Sequence, residues 1–223
     1  MNLPDIEFLS KILHQESGLV INSDKAYLFE SRLVPVLSKY EFETLEQLVA
    51  ALRKGTDRKL LNSVTHAMTT NETYFFRDTK PFTQFREVIL PLLVTQRAAQ
   101  RQLRIWSAAA ASGQEAYSLA IICKELEKSL LKDWKITILG TDISTEMIER
   151  ARDGIYSQFE VQRGLPINFL TKYFAKTDAG WQIAEELRAM VSFETANLMN
   201  VPRALGIFDV IFCRNVLIYF DVA

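Results

Sequence analysis

From Leu103 onward the chain alternates short apolar runs with helical stretches, and that alternation restricts the fold more than any other feature of the sequence. The runs LRIWS (103–107), ITILGTD (136–142), MVSFE (190–194) and FDVIFC (208–213) are short and rich in β-branched or aromatic residues, as strands are. A helical stretch over 112–131 separates the first two, and Ser144 stands where the next helix, carrying Met147 and Ile148, needs an N-cap. Strands joined through helices pair in parallel, so this part is expected to be a doubly wound parallel sheet.

The first eighty residues have a different texture. Ile6, Leu9, Ile12 and Leu13 fall at helical spacing, with Gly18 placed to end that helix. A second helix is expected over 24–40, with Leu28, Leu33, Val36 and Leu37 on its apolar face. Thr44 should cap a third helix that carries Leu45, Leu48 and Leu52 and stops before Gly55. A fourth spans 57–68 with Leu60, Leu61 and Val64, and an amphipathic stretch over 81–95 is followed by the polar run TQRAAQRQ. The expected organisation is a helical domain over 1–80, a linking helix and linker over 81–102, and an α/β domain over 103–223.

Composition narrows the function classes. The net charge of −1 provides no field for nucleic acid or an anionic membrane. No apolar run approaches the ~20 residues of a membrane span, and Asp5 and Glu7 interrupt the N-terminus too early for a signal peptide. Cys123 and Cys213 lie alone inside apolar segments, as packing residues of a reducing compartment do. His14 and His66 have no partners at metal-ligand spacing, so no metal is expected. A cytoplasmic protein follows.

Ligands of open parallel sheets bind outside the carboxyl ends of the strands. Four polar clusters fall there: SAAAASGQE after the first strand, Asp142 at the end of the second, Asn197 after the third, and Arg214 with Asn215 after the fourth. A turn that cradles a pyrophosphate needs G-x-G-x-x-G, yet here only Gly113 stands amid Ala108, Ala109, Ala110 and Ala111. Alanine permits close approach but resists positive φ, so a nucleoside ligand without a pyrophosphate suits this loop. Asp142 then suits ribose hydroxyls. Its plainer role is as a helix N-terminal acid, which the following Ile-Ser-Thr-Glu also allows.

TTNETYFFRD (69–78) sets Tyr74, Phe75 and Phe76 among polar side chains. Such a segment packs its rings and presents Asn71, Thr73 and Arg77 to something polar, or it is a helix end with an aromatic plug.

These residues carry a resemblance. TTNETYFFRD, RIWSAAAASGQEAYSLA (104–120), ILGTDIS (138–144), ARDGIY (151–156), FETANLM (193–199) and FDVIFCRNVLIYFD (208–221) occur in the order found in the chemotaxis receptor methyltransferases. The chain resembles these CheR-type protein-glutamate O-methyltransferases over nearly its whole length. The resemblance implies a helical receptor-recognition domain and a Rossmann-like methyltransferase domain that binds S-adenosylmethionine and releases S-adenosylhomocysteine. It also implies an inserted β-subdomain at about 156–189, and partners in the cytoplasmic helices of chemotaxis receptors. Asn71, Thr73 and Arg77 would line the cofactor pocket, Glu115 would meet the amino-acid portion, and Asp142 the ribose. Asn197 and Leu198 would flank the adenine, Arg214 and Asn215 would close the site, and Arg77 and Tyr219 would stand nearest the methyl.

The family pattern is not matched throughout. Ala109, Gln114 and Ala116 stand where glycine, glutamate and proline are expected, and the hairpin segment KTDAGWQ is short. The sequence also stops at Ala223, where the family continues, so the α/β domain is expected to be truncated with 208–213 as an exposed edge. Lys25, Arg32 and Lys39, seven residues apart on one expected helix, would share a basic docking face, with Arg53, Lys54, Arg58 and Lys59 as a second cluster; the plainer role is a solvated face balanced by Glu30 and Glu43. The other function class is a catalytically inactive S-adenosylmethionine sensor or scaffold. A nicotinamide-dependent oxidoreductase is disfavoured by the missing glycines.

Overall fold

The computed structural model describes residues 1–221. The backbone forms two compact units, Met1–Thr70 together with the segment from Asn215, and Asn71–Arg214.

The first unit is helical, built from α1 (Leu3–Ser17), α2 (Tyr27–Arg32), α3 (Val34–Lys39), α4 (Leu45–Arg53) and α5 (Arg58–Met68). Its caps follow from local chemistry. The Asn2 side chain accepts from the Asp5 N–H, and Gly18 ends α1 in the left-handed region with its N–H on the His14 carbonyl. Thr44 and Asp57 cap α4 and α5 through their side-chain oxygens. Leu9, Leu13, Phe29, Leu48, Leu60 and Val64 fill the core.

The helix expected over 24–40 is not continuous. It is a 3-10 turn at Ser23–Lys25, then α2 and α3, interrupted at Leu33. Pro35, in the first turn of α3, has no N–H for the carbonyl four residues back. Lys25, Arg32 and Lys39 thus lie on three successive helical segments, although the Leu33 and Leu37 N–H groups still bond the carbonyls four residues back. Arg32 is also committed elsewhere, donating to the Met68 carbonyl at 2.6 Å and the Thr70 hydroxyl at 3.0 Å at the end of α5.

In the second unit, α6 (Lys80–Gln84) runs through a π turn at Phe85–Ile89 into α7 (Leu90–Gln96). Then follow β1 (Gln102–Ala108), α8 (Gln114–Glu125), β2 (Lys135–Asp142) and α9 (Thr145–Asp153), the last capped by Ser144. An insertion comes next: β3 (Ile155–Tyr156), α10 (Gln158–Gln162), α11 (Ile167–Tyr173), β4 (Phe174–Thr177), β5 (Gly180–Ile183) and α12 (Glu185–Arg188). The unit ends with β6 (Val191–Thr195) and β7 (Val210–Cys213). The main sheet is parallel throughout, in the order β6-β2-β1-β7, so the doubly wound parallel pattern is present and β7 is an edge. The inserted strands form a separate antiparallel sheet, β3-β5-β4, with KTDAGWQ at its hairpin.

The sheet's two faces differ. Leu103, Ile105, Ile138, Phe193 and Phe212 pack into the large core with α8 and the insertion. Trp106, Ala108 and Leu139 face the other way and meet Leu198 and Leu205 from the 3-10 turns at Leu198–Asn200 and Arg203–Leu205. Register aligns the carboxyl ends: Ala108 lies opposite Thr141 and Cys213, and Asp142 opposite Thr195. The loops that follow the four strands converge on one end of the sheet.

Candidate active site

The loop between β1 and α8 is held by buried polar groups. Asp142 is 6% exposed. One of its oxygens accepts from the Ala111 N–H at 2.8 Å and the other from the Ser144 N–H at 2.9 Å. It thus ties the turn after β1 to the turn after β2. The Ala110 N–H adds a bond to the Thr141 carbonyl at 2.8 Å. Tyr156 donates to the Ser112 carbonyl at 2.9 Å from below, and burial pushes its phenol pKa well up.

The alanines take the conformation that their side chains resist. Ala109 and Ala111 have φ of 60° and 46°, and Gly113 has 92°. At Gly113 a Cβ would also come within 2.9 Å of the Ala151 methyl and 3.0 Å of the Phe193 ring, so glycine is required there.

Glu115 opens α8 and its carboxylate is the centre of a network. Oε1 accepts from the Ser107 hydroxyl at 2.8 Å, and Oε2 from Arg214 at 3.0 Å. Burial raises its pKa above the ordinary value, an effect partly offset by Ser107, Arg214 and Arg77. Arg214 follows β7 and spends its second terminal nitrogen on the Arg77 carbonyl at 2.8 Å and the Asp78 carboxylate at 2.7 Å. Cys213, one residue before, has its thiol pKa pushed up by burial and by the Glu115 charge. Cys123, inside the core, is pushed up to about 12 by burial, and Cys213 is only partly buried.

TTNETYFFRD starts at the end of α5, where Thr69 is the C-cap, and makes a turn over 75–78. Phe75 is fully buried against Tyr156 and Phe174, while Phe76 packs on Phe82 and Phe169. The Phe76 N–H bonds the Ser118 hydroxyl of α8 at 2.9 Å. Phe76, Asp78 and Thr79 all have positive φ. Asn71 and Thr73 lie part-exposed on the extended run before the turn. The Arg77 guanidinium donates to the Glu72 carbonyl and lies 5.6 Å from the Tyr74 ring.

Asn197 caps the 3-10 turn after β6, accepting from the Met199 N–H at 2.9 Å, and Leu198 packs on the Trp106 cluster. Arg77, Glu115 and Arg214 are therefore brought into one network, and Asp142 into the neighbouring loop. Asn215 and Tyr219 group with the helical unit. Tyr219 packs against that unit's core, and its carbonyl accepts from the Val20 N–H at 3.0 Å. Sequence reasoning missed Ser107 and Asp78. Ser107 could have been found as the hydroxyl just ahead of the ligand-end loop. Among the described residues no cluster of histidine, cysteine or carboxylate side chains could hold a metal ion, and no helix is long and apolar enough to cross a membrane.

Comparison with known proteins identifies this arrangement. Residues 71–223 match the CheR methyltransferase SAM-binding domain, and residues 4–69 match the CheR methyltransferase all-alpha domain. The chain belongs to the CheR methyltransferase family. It is 41% identical to chemotaxis protein methyltransferase 1 of Pseudomonas aeruginosa, over 97% of this chain and 80% of that protein. The chemotaxis protein methyltransferase of Vibrio parahaemolyticus is 39% identical over 95% of this chain and 77% of its own length. That of Borreliella burgdorferi is 36% identical over 97% and 78%. As a CheR methyltransferase the chain uses S-adenosylmethionine, and the nucleoside without a pyrophosphate expected from the alanine loop agrees with that cofactor.

Proposed function

We propose that the chain transfers the methyl group of S-adenosylmethionine to glutamate side chains on the cytoplasmic helices of chemotaxis receptors. Glutamate as the acceptor, receptors as the partners, the cytoplasm as the compartment and the roles of individual residues all belong to this reading. One observation carries it most directly: Arg214, largely covered, links the covered Glu115 carboxylate to the exposed Asp78 carboxylate where the sheet's ligand end meets the turn that carries Arg77.

The residues fit the cofactor's chemistry. Two carboxylates, Glu115 and Asp142, stand at the strand ends, and the loop over 109–113 has neither a lysine nor the three glycines a pyrophosphate demands. Glu115 would hold the cofactor's ammonium and Asp142 its ribose hydroxyls. Asn197 and Leu198 would flank the adenine, Asn71, Thr73 and Arg77 would line the pocket, and Arg214 with Asn215 would close it. S-adenosylmethionine supplies an electrophilic methyl on a sulfonium sulfur.

A glutamate side chain is already ionised near neutral pH, so no strong general base is needed. One carboxylate oxygen forms the new bond to carbon as the carbon–sulfur bond breaks, and the two opposite charges cancel. Transfer then depends on alignment and exclusion of water. Arg77 would orient the acceptor carboxylate through its planar fork, with Tyr219 as its partner nearest the methyl.

The test is incubation with methyl-labelled S-adenosylmethionine and a receptor cytoplasmic fragment, followed by mild alkali. Carboxyl methyl esters release the label as volatile methanol. Alkali-stable label, or none on the fragment, overturns the reading. Cofactor binding without any transfer would instead favour the sensor.

A further inference from the structure

Two guanidinium groups address one ring in the α/β unit. Arg163 lies 4.3 Å from the centroid of Tyr74, and Arg77 lies 5.6 Å from the same centroid. Like charges at one ring repel, and Glu72 is the carboxylate that meets this pair: it binds Arg163 at 2.5 Å, while its backbone carbonyl takes Arg77. The Glu72 carboxyl is held below its ordinary pKa, first by the hydrogen bond from Arg163 and then by the charges of Arg163 and Arg77.

Arg163 is firmly mounted. It ends α10, and the next residue, Gly164, has φ of 80°. A Cβ at Gly164 would lie 2.1 Å from the Phe75 carbonyl oxygen, so this link rests directly on the backbone of the Arg77 turn. Phe75 itself is fixed between Tyr156 and Phe174. The backbone of Arg163 is thereby set relative to that of Arg77, although 85 residues separate them in sequence.

Structural need explains the pair poorly. Arg163 is 39% exposed and Glu72 52% exposed, and pairs this open contribute about 0–1 kcal/mol. An arginine fork whose carboxylate partner is half in water is one whose partner can be exchanged. Another carboxylate can replace Glu72 in the planar fork with the same geometry, and the displaced Glu72, half in water, is left to solvent.

We propose that Arg163 is a specificity-determining residue that binds an acidic side chain of the substrate beside the glutamate to be methylated, displacing Glu72. The inference rests on the proposed function, because it takes the substrate to be an acidic peptide. Glu72 is then an internal stand-in that occupies the subsite in the free protein and weakens substrate binding.

Opposite substitutions test this with opposite signs. Arg163→Gln should raise the KM for a receptor cytoplasmic fragment about tenfold, the scale of one charge-assisted pair. Its kcat should stay within about twofold and its S-adenosylhomocysteine affinity should not move. Arg163→Lys should recover part of the loss. Glu72→Gln should lower KM about threefold by vacating the fork. A fragment whose flanking acids are changed to glutamine should be blind to both variants. Fluorescence anisotropy of the same fragment, with S-adenosylhomocysteine present, reads the subsite independently of methyl transfer. An inactive parent that still shows these shifts in anisotropy would sink the proposed function and keep the subsite. Unchanged KM and anisotropy in Arg163→Gln, weaker binding in Glu72→Gln, or a parallel loss of cofactor affinity would overturn it.

Discussion

Arg214 donates to the Glu115 carboxylate at 3.0 Å from one terminal nitrogen, and its other terminal nitrogen holds Asp78. The two residues are 99 apart in sequence, yet they join the end of β7, the start of α8 and the turn that carries Arg77. Arg214→Gln should therefore lower S-adenosylhomocysteine affinity and methyl transfer together, while Arg214→Lys, a point charge without the fork, should recover only part of either. Titration calorimetry beside a transfer assay measures both. A glutamine variant at parental affinity would take Arg214 out of the site.

Glu115 gives a pH signature. Its pKa is raised in the folded chain, chiefly by burial, so the folded state holds the proton more tightly than the unfolded one. The stability linked to that proton is complete below the unfolded value near 4.5 and is lost as pH rises through the folded value. Glu115→Gln has no such proton. In urea unfolding, the difference in stability between parent and variant should move in the parent's favour as pH falls from neutral toward 4.5. A difference that is constant, or that moves the other way, contradicts the burial of this carboxylate.

Asp142 satisfies two backbone N–H groups, those of Ala111 and Ser144. Asp142→Ala orphans both, at about 1–3 kcal/mol each, and should also weaken cofactor binding by about 1–3 kcal/mol. Asp142→Asn keeps one oxygen and should fall between. Chemical denaturation and calorimetry separate the two effects. Parental stability in the alanine variant would show that the loop does not depend on this brace.

Ala109 sits at φ of 60°. Left-handed backbone costs a residue with a Cβ about 1–2 kcal/mol, whereas a new glycine loosens the unfolded chain by about 0.4–1 kcal/mol. Ala109→Gly should therefore be neutral or raise the Tm, and Ala109→Val should lower it. A glycine variant that melts well below the parent would argue that the loop is unstrained.

Much of the fold is legible in the sequence because its signals are local. Asn2, Thr44 and Ser144 cap the helices that their positions suggest, and Gly18 ends α1. Four apolar runs become the four parallel strands. The interruption at Leu33 is local too, since Pro35 marks it, but the apolar spacing of 28, 33, 36 and 37 runs straight across it. Side-chain partnerships across long separations are another matter. Nothing near Arg163 in the sequence points to Glu72, and nothing near Arg214 signals that its guanidinium meets Glu115. The alanine loop pointed to the right kind of ligand but not to its own backbone: bonds from Asp142 and Tyr156 hold it in a conformation that alanine alone avoids.

Alignment without a general base makes Arg77 and Tyr219 separable from folding. Arg77→Ala and Tyr219→Phe should each slow methyl transfer by about 10- to 100-fold, the cost of misplacing reactants by about 1 Å, with much smaller changes in unfolding free energy. Either variant working at the parental rate would remove that residue from the chemistry.

The most direct measurement is tandem mass spectrometry of a receptor cytoplasmic fragment after incubation with the chain and S-adenosylmethionine. The account predicts glutamate side chains heavier by one methylene group, and none when Arg77→Ala replaces the parent over the same short time. Methyl groups found only on other side chains, or a fragment left unmodified by a parent that binds the cofactor, would contradict it.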